Sequence, residues 1–198
     1  MIFNTSIGFN VETKDVKYLD AGIHENVDLV SAKQDRSTNG NEYIEILFER
    51  DGAKVSQTEY EPKKFGDESD ESLQAKADGQ VKRIMQILKC FYPKEVLVFT
   101  GDSFAGFAAW VVALINNAPK TKVRLKVVYG NNGFTGLPRY YKYTFIEPMT
   151  ISSSDSKISQ LSIDKFERQV LDTEPEAETS ASVFGATPKT ATVEDSPF

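Results

Sequence analysis

The sequence is poor in the side chains that usually carry catalysis or hold metals. Its 198 residues include one cysteine, Cys90, and one histidine, His24. A lone cysteine excludes an internal disulfide, and together the two residues supply no soft metal-ligand set. No loop has the oxygen-ligand spacing of a calcium or magnesium site. The longest strongly apolar segment, Phe104 to Ile115, falls short of the ~20 residues that a bilayer-spanning helix requires. The opening MIFNTSIGFN has no basic stretch leading into an apolar core, as a secretory signal would. These absences predict a soluble cytoplasmic protein in a reducing compartment, without metal or cofactor. Cys90, in ILKCFYP, reads as a small buried apolar group.

A catalytic serine is the next candidate to weigh. The stretch VLVFTGDSFAGFAAW, Val96 to Trp110, has the outline of a strand, a tight turn carrying Ser103, and a helix. That is the outline of a hydrolase nucleophile elbow. The elbow requires glycine at position 105, where Ala105 stands, and Gly106 comes one residue late. A serine nucleophile also needs a base, and the sole histidine lies far upstream, before the first strand. A helix start explains the same letters more simply: Asp102 or Ser103 accepts from the first free N–H groups, and Gly101 permits the tight approach. The expectation is that the protein is not an enzyme, with a Ser103 hydrolase kept as an alternative.

What is present is a pattern of short strands interrupted by helices. Asn26–Asp35, Tyr43–Glu49 and Ala53–Tyr60 read as an antiparallel meander, with Asp51-Gly52 as a hairpin signal. Leu73, Ala77, Val81, Ile84 and Leu88 then recur every three or four residues, predicting a helix capped by Ser69 or Asp67 and ended by Pro93. A short strand and an apolar helix ending near Asn116 follow. Period two returns in KVRLKVVY and in RYYKYTFIE, residues 139–147, with the Gly-rich GNNGFTGLP between them. Three strands, a helical insertion and two strands match a mainly β fold, a five-stranded Greek-key barrel of the OB type. The predicted division is an OB-type domain over 1–149, with a helical insertion at about 67–117, and a disordered acidic tail over 150–198. Within the tail, LSIDKFERQVL is a weak amphipathic patch that reads as a transient helix.

Charge is unevenly distributed. The net charge is −6, and residues 151–198 alone carry −5 of it. Lys120, Lys122, Arg124, Lys126, Arg139 and Lys142 crowd into a stretch with no acid before Glu147, interleaved with Tyr129, Phe134, Tyr140, Tyr141, Tyr143 and Phe145. Cations that track phosphates and aromatic faces that stack on unpaired bases are what single-stranded nucleic acid requires. Alternation puts Lys122, Arg124 and Lys126 on one strand face. On the second strand it separates Arg139, Tyr141, Tyr143 and Phe145 from Tyr140, Lys142 and Thr144, without saying which set faces outward. Arg50, Lys54, Lys63 and Lys64, beside Phe65, would extend a groove. The competing reading makes the cations a solvated face and the tyrosines barrel filling.

A basic, aromatic domain joined by a polar linker to an acidic tip ending in Pro-Phe resembles the bacterial and phage single-stranded-DNA-binding proteins. The matching tip residues are Glu194, Asp195, Pro197 and Phe198, and GIHENVDLV and LKVVYGNNGFTGLPRYYKYTFIE look like the opening and closing segments of a phage-type OB protein of that class. The resemblance implies sequence-independent binding and protection of single-stranded DNA in replication, recombination or repair, with the tip recruiting partner proteins. The implied binding residues are Lys122, Arg124, Lys126, Tyr129, Phe134, Arg139, Tyr141, Lys142 and Tyr143. The insertion is large and the tip has only two acids, which leaves self-association open. A phage structural or assembly protein without DNA binding is the other alternative.

Overall fold

A computed structural model describes residues 16–168; the acidic tip and most of the predicted tail lie outside that range. The antiparallel meander forms as its pattern dictates. Strand β1 (Gly22–Arg36), β2 (Glu42–Arg50) and β3 (Ala53–Tyr60) pair in sequence order. The β2–β3 hairpin closes on Asp51 and Gly52, whose φ values of 51° and 81° are the left-handed pair of a two-residue turn. Ile44, Ile46, Phe48 and Val55 point to the core, as their alternation requires.

Strand β1 serves two neighbours. Its first part pairs with β4 (Val123–Tyr129) and its remainder with β2, and it is bulged between His24 and Val27 and again between Leu29 and Ser31. Asn26 takes φ 60° at the first bulge, a conformation asparagine tolerates better than most residues. Two short strands, β5 (Thr135–Gly136) and β6 (Ile146–Pro148), also pair with β4. The result is a six-stranded antiparallel sheet of order β3-β2-β1-β4-β5, with β6 also on β4.

The two helices lie where the periodicity puts them. Helix α1 (Asp70–Leu88) is capped by Ser69, which accepts from the Ser72 N–H, and α2 (Phe104–Asn116) by Ser103, which accepts from the Gly106 N–H. Helix α2 packs on β1, where the Asn116 side chain bonds both backbone groups of Ala32 at 2.8 and 2.9 Å. The buried stripe of α1 is rotated from the expected one. Gly79, Gln80, Ile84, Ile87 and Leu88 are buried while Val81 is exposed, because Gln80 turns inward to bond Glu59 and the Tyr60 carbonyl.

Four expectations are corrected. The segment before α2 holds a 3-10 turn, Lys94–Val96, in place of a strand. RYYKYTFIE contributes only to β6; residues 139–144 are irregular, with the carbonyls of Arg139, Tyr141 and Tyr143 turned to α1, while the Phe145 carbonyl accepts from the Lys126 N–H of β4. The folded body does not stop at 149: Ile158 is buried, and residues 159–165 cross the outer face of β4. No helix forms over 161–168.

Candidate nucleic-acid interface

Strand β4 alternates as expected, but both of its faces are covered. Val123, Leu125 and Val127 enter the core, and on the opposite face Arg124 and Lys126 are 3% and 0% exposed. Arg124 forms ion pairs with Glu147 at 2.6 Å and Glu25 at 2.9 Å. Lys126 meets Asp164 at 2.8 Å and also donates to the Tyr140 hydroxyl and the Ser159 carbonyl. Neither can reach a phosphate without breaking a buried pair, so the expected cationic face of β4 is corrected on this point. Burial requires each charge to be matched, and the acids that do it, Glu147 and Asp164, lie beyond the acid-free stretch. Burial opposes ionisation of Glu147, yet hydrogen bonds from Ser156, Arg124 and the Lys157 N–H hold its carboxyl below the usual range. Lys122 is exposed and paired with Asp28 at 2.9 Å.

The cations and aromatics that do face outward gather on the loop 139–144 and on α1. Tyr140 turns inward, where burial and then its hydrogen bond to Asp164 push its phenol well above the ordinary value. Tyr143 is 51% exposed and meets the Tyr140 ring edge-on at 5.6 Å. Tyr141 lies against Gly79, with the Lys82 ammonium 4.8 Å from its ring centre. Arg139 and Lys142 are exposed on the same loop. Among the described residues, Lys82, Arg139 and Lys142 have no carboxylate within 4.0 Å.

The adjoining loop between β3 and α1 adds Phe65, 77% exposed, together with Lys63 and Lys64, which are paired with Glu61 and Asp70. It is held at its far end by Glu68. That carboxylate accepts from Lys76, Ser72 and the Phe65 N–H, which together lower it to about 2. The Lys76 ammonium also sits 4.9 Å from the Phe65 ring centre. Two hollows, of about 610 and 430 Å³, share Lys76, Arg83 and Arg139 and so join the Phe65 loop to the tyrosine loop.

Tyr129 and Phe134 fall elsewhere. They line a larger cleft of about 870 Å³, whose far wall is Ser56, Gln57 and Thr58 of β3. Its lining is mostly neutral, but Arg139 and Tyr140 belong to it as well, so it meets the cationic surface at one end. Arg50 and Lys54 are drawn to Asp51 and Glu49. Thus Arg139, Tyr141, Lys142 and Tyr143 lie on one loop beside α1, although strand alternation would have set Lys142 on the opposite face from the other three. Phe134 and Tyr129 sit at the margin, and Arg124 and Lys126 are excluded by burial.

Sequence reasoning missed Lys76, Lys82 and Arg83. Their helical spacing was legible, but only the packing of α1 against the 139–144 loop brings them beside the tyrosines. Ser103 serves as a helix cap, and the ring nitrogens of His24 face the Asp20 carbonyl and Arg50. No protein-family model matches the chain, and no curated protein matches it.

Proposed function

We propose that the protein binds single-stranded DNA without reading its sequence. The observation that carries the reading is one surface made by α1 and the two loops beside it, which carries the exposed aromatic rings Phe65 and Tyr143 and the unneutralised cations Lys82, Arg139 and Lys142. Aromatic faces stack on any base and cations follow any backbone, so such a surface is tolerant of sequence. It also favours single strands, because the bases of a duplex are already stacked on one another.

The fold we infer is a barrel of the OB type. Support comes from the bulged β1 shared between β2 and β4, and from β5 approaching β3, where a Cβ on Gly136 would lie 3.9 Å from the Ser56 carbonyl oxygen. On this reading the surface described above flanks the edge of β3, and the neutral cleft lined by Phe134 continues it. The resemblance to phage and bacterial single-strand-binding proteins supports a role in replication, recombination or repair. Glu194, Asp195, Pro197 and Phe198 then recruit partner proteins and compete with DNA for the basic surface.

The test is fluorescence anisotropy of labelled thirty-nucleotide poly-dT and of a duplex of the same length across a salt series. Saturable binding that strongly favours the single strand, with log K falling against log salt by about 0.7 per phosphate contact, is the expected result. Equal or absent binding of both would overturn the reading and leave an assembly or structural role.

A further inference from the structure

We propose that one face of α1, formed by Gly79, Arg83 and Gln86, is a seat that holds Tyr141 and its neighbours in the conformation that stacks on bases. These three are positioning residues, and their effect on DNA rests on the single-strand reading. The seat itself rests on geometry.

Gly79 is buried in the interior of a 19-residue helix, where glycine is the poorest helix former after proline. Its backbone is ordinary helix, so no unusual dihedral calls for glycine. Space does: a Cβ there would stand 3.2 Å from both Cδ1 and Cε1 of Tyr141. The tyrosine ring therefore lies directly against the helix.

Arg83, one turn on, donates from Nη1 to the Arg139 carbonyl at 2.9 Å. Its Nε and Nη2 are both fixed at 2.8 Å by Glu59, which is itself buried and bonded by Gln57 at 2.8 Å. A continuous chain of hydrogen bonds thus runs from β3 through α1 to the loop. Gln86, three residues further, donates from Nε2 to the carbonyls of Tyr141 at 3.0 Å and Tyr143 at 3.3 Å. Positions 79, 83 and 86 share one helix face, and the carbonyls held by Arg83 and Gln86 belong to alternate residues 139, 141 and 143.

The other end of Gln86 shows why an amide stands there. Its Oε1 is the one buried side-chain polar atom among the described residues without a hydrogen-bond partner. An unpaired buried acceptor is costly, so leucine would serve packing better. The two donors are what the position requires. A loop already held at three carbonyls loses little freedom when a base stacks on it, which is how preorganisation raises affinity.

The experiment compares Gly79→Ala and Gln86→Leu with the unaltered chain in dT30 anisotropy, in thermal melting, and by ¹⁹F NMR of 3-fluorotyrosine-labelled protein. Gly79→Ala is expected to melt at the same temperature or higher, yet to bind dT30 about three- to tenfold more weakly. Gln86→Leu is expected to weaken binding similarly. The salt slope is unchanged in both, since neither removes a charge, and the Tyr141 resonance shifts. A purely structural role would make affinity follow stability, so a rise in melting temperature alongside a fall in affinity separates the two. Variants that bind as the unaltered chain does, while Tyr141→Ala binds more weakly, would overturn the seat. If the unaltered chain fails to bind dT30, the single-strand reading falls. The ¹⁹F resonance of Tyr141 then decides the seat alone, and an unshifted signal in both variants refutes it.

Discussion

Phe65 and Tyr143 expose ring area that contributes nothing to the core, so truncating either should leave the fold intact. On the single-strand reading each stacked base contributes about 1–3 kcal/mol. Tyr143→Ala and Phe65→Ala should therefore each lower dT30 affinity at least about fivefold with the salt slope unchanged, whereas Lys142→Gln should flatten the slope by about 0.7. Anisotropy over a salt series distinguishes the two outcomes. Buried charges behave differently. Lys126 and Asp164 are 0% and 1% exposed, and removing one partner strands the other in the interior. Asp164→Ala should cost about 3–5 kcal/mol in urea unfolding, and adding Lys126→Met should recover much of it. A cost below about 1 kcal/mol for the single variant would refute the buried pair. Cys90 is a milder case. Burial and then the charge of Glu147 push its thiol up to about 12, so alkylation by iodoacetamide at pH 8 should be far slower than for a free thiol.

Two elements carry roles that their own sequences do not announce. The segment 153–165 supplies partners to both buried cations: Ser153 to Arg124, and Ser159 and Asp164 to Lys126. A chain ending at 149 should consequently be at least about 3 kcal/mol less stable than one ending at 168, as denaturant melts would report. The Phe65 loop hangs on Glu68, whose carboxyl is lowered to about 2. A depressed carboxyl favours the folded arrangement at all pH above its unfolded value and loses that effect as pH falls through the folded one. The loop should therefore stay clamped to about pH 3 and loosen towards pH 2, with the ¹³C carboxyl shift of Glu68 titrating near 2.

For the molecule as a whole, acid and alkali should act through the same outer face of β4. Glu147 is held below its ordinary range despite burial, chiefly by hydrogen bonds from Ser156 and Arg124. Its contribution is present at neutral pH and is lost as pH falls below the normal carboxylate range. Tyr140 is raised by burial and by Asp164, so its contribution is full below pH ~10 and is lost as pH rises through its folded value. Melting temperature should therefore fall at both extremes, and Glu147→Gln should remove part of the acid limb. At this scale the proposed switch also becomes testable. Deleting Glu194 to Phe198 should tighten dT30 binding at low salt and abolish partner recruitment, and no change in either would refute competition by the tip.

The hairpin at Asp51-Gly52, the inward Ile44, Ile46 and Phe48, and the caps Ser69 and Ser103 were legible in the sequence because each depends on residues a few positions apart. Turn dihedrals, strand alternation and free helix N–H groups are local matters. What covers the second face of β4 depends on acids as distant in the chain as Glu25 and Asp164, and so does whether Arg124 and Lys126 face DNA or the interior. The tyrosines of 139–144 likewise read as a strand until Arg83 and Gln86 draw their carbonyls to α1. Composition by itself determined that cations and aromatics would be available. Tertiary structure decided which of them remain in water, because a buried cation is tolerable only beside its partner acid, and that partner is chosen by the fold.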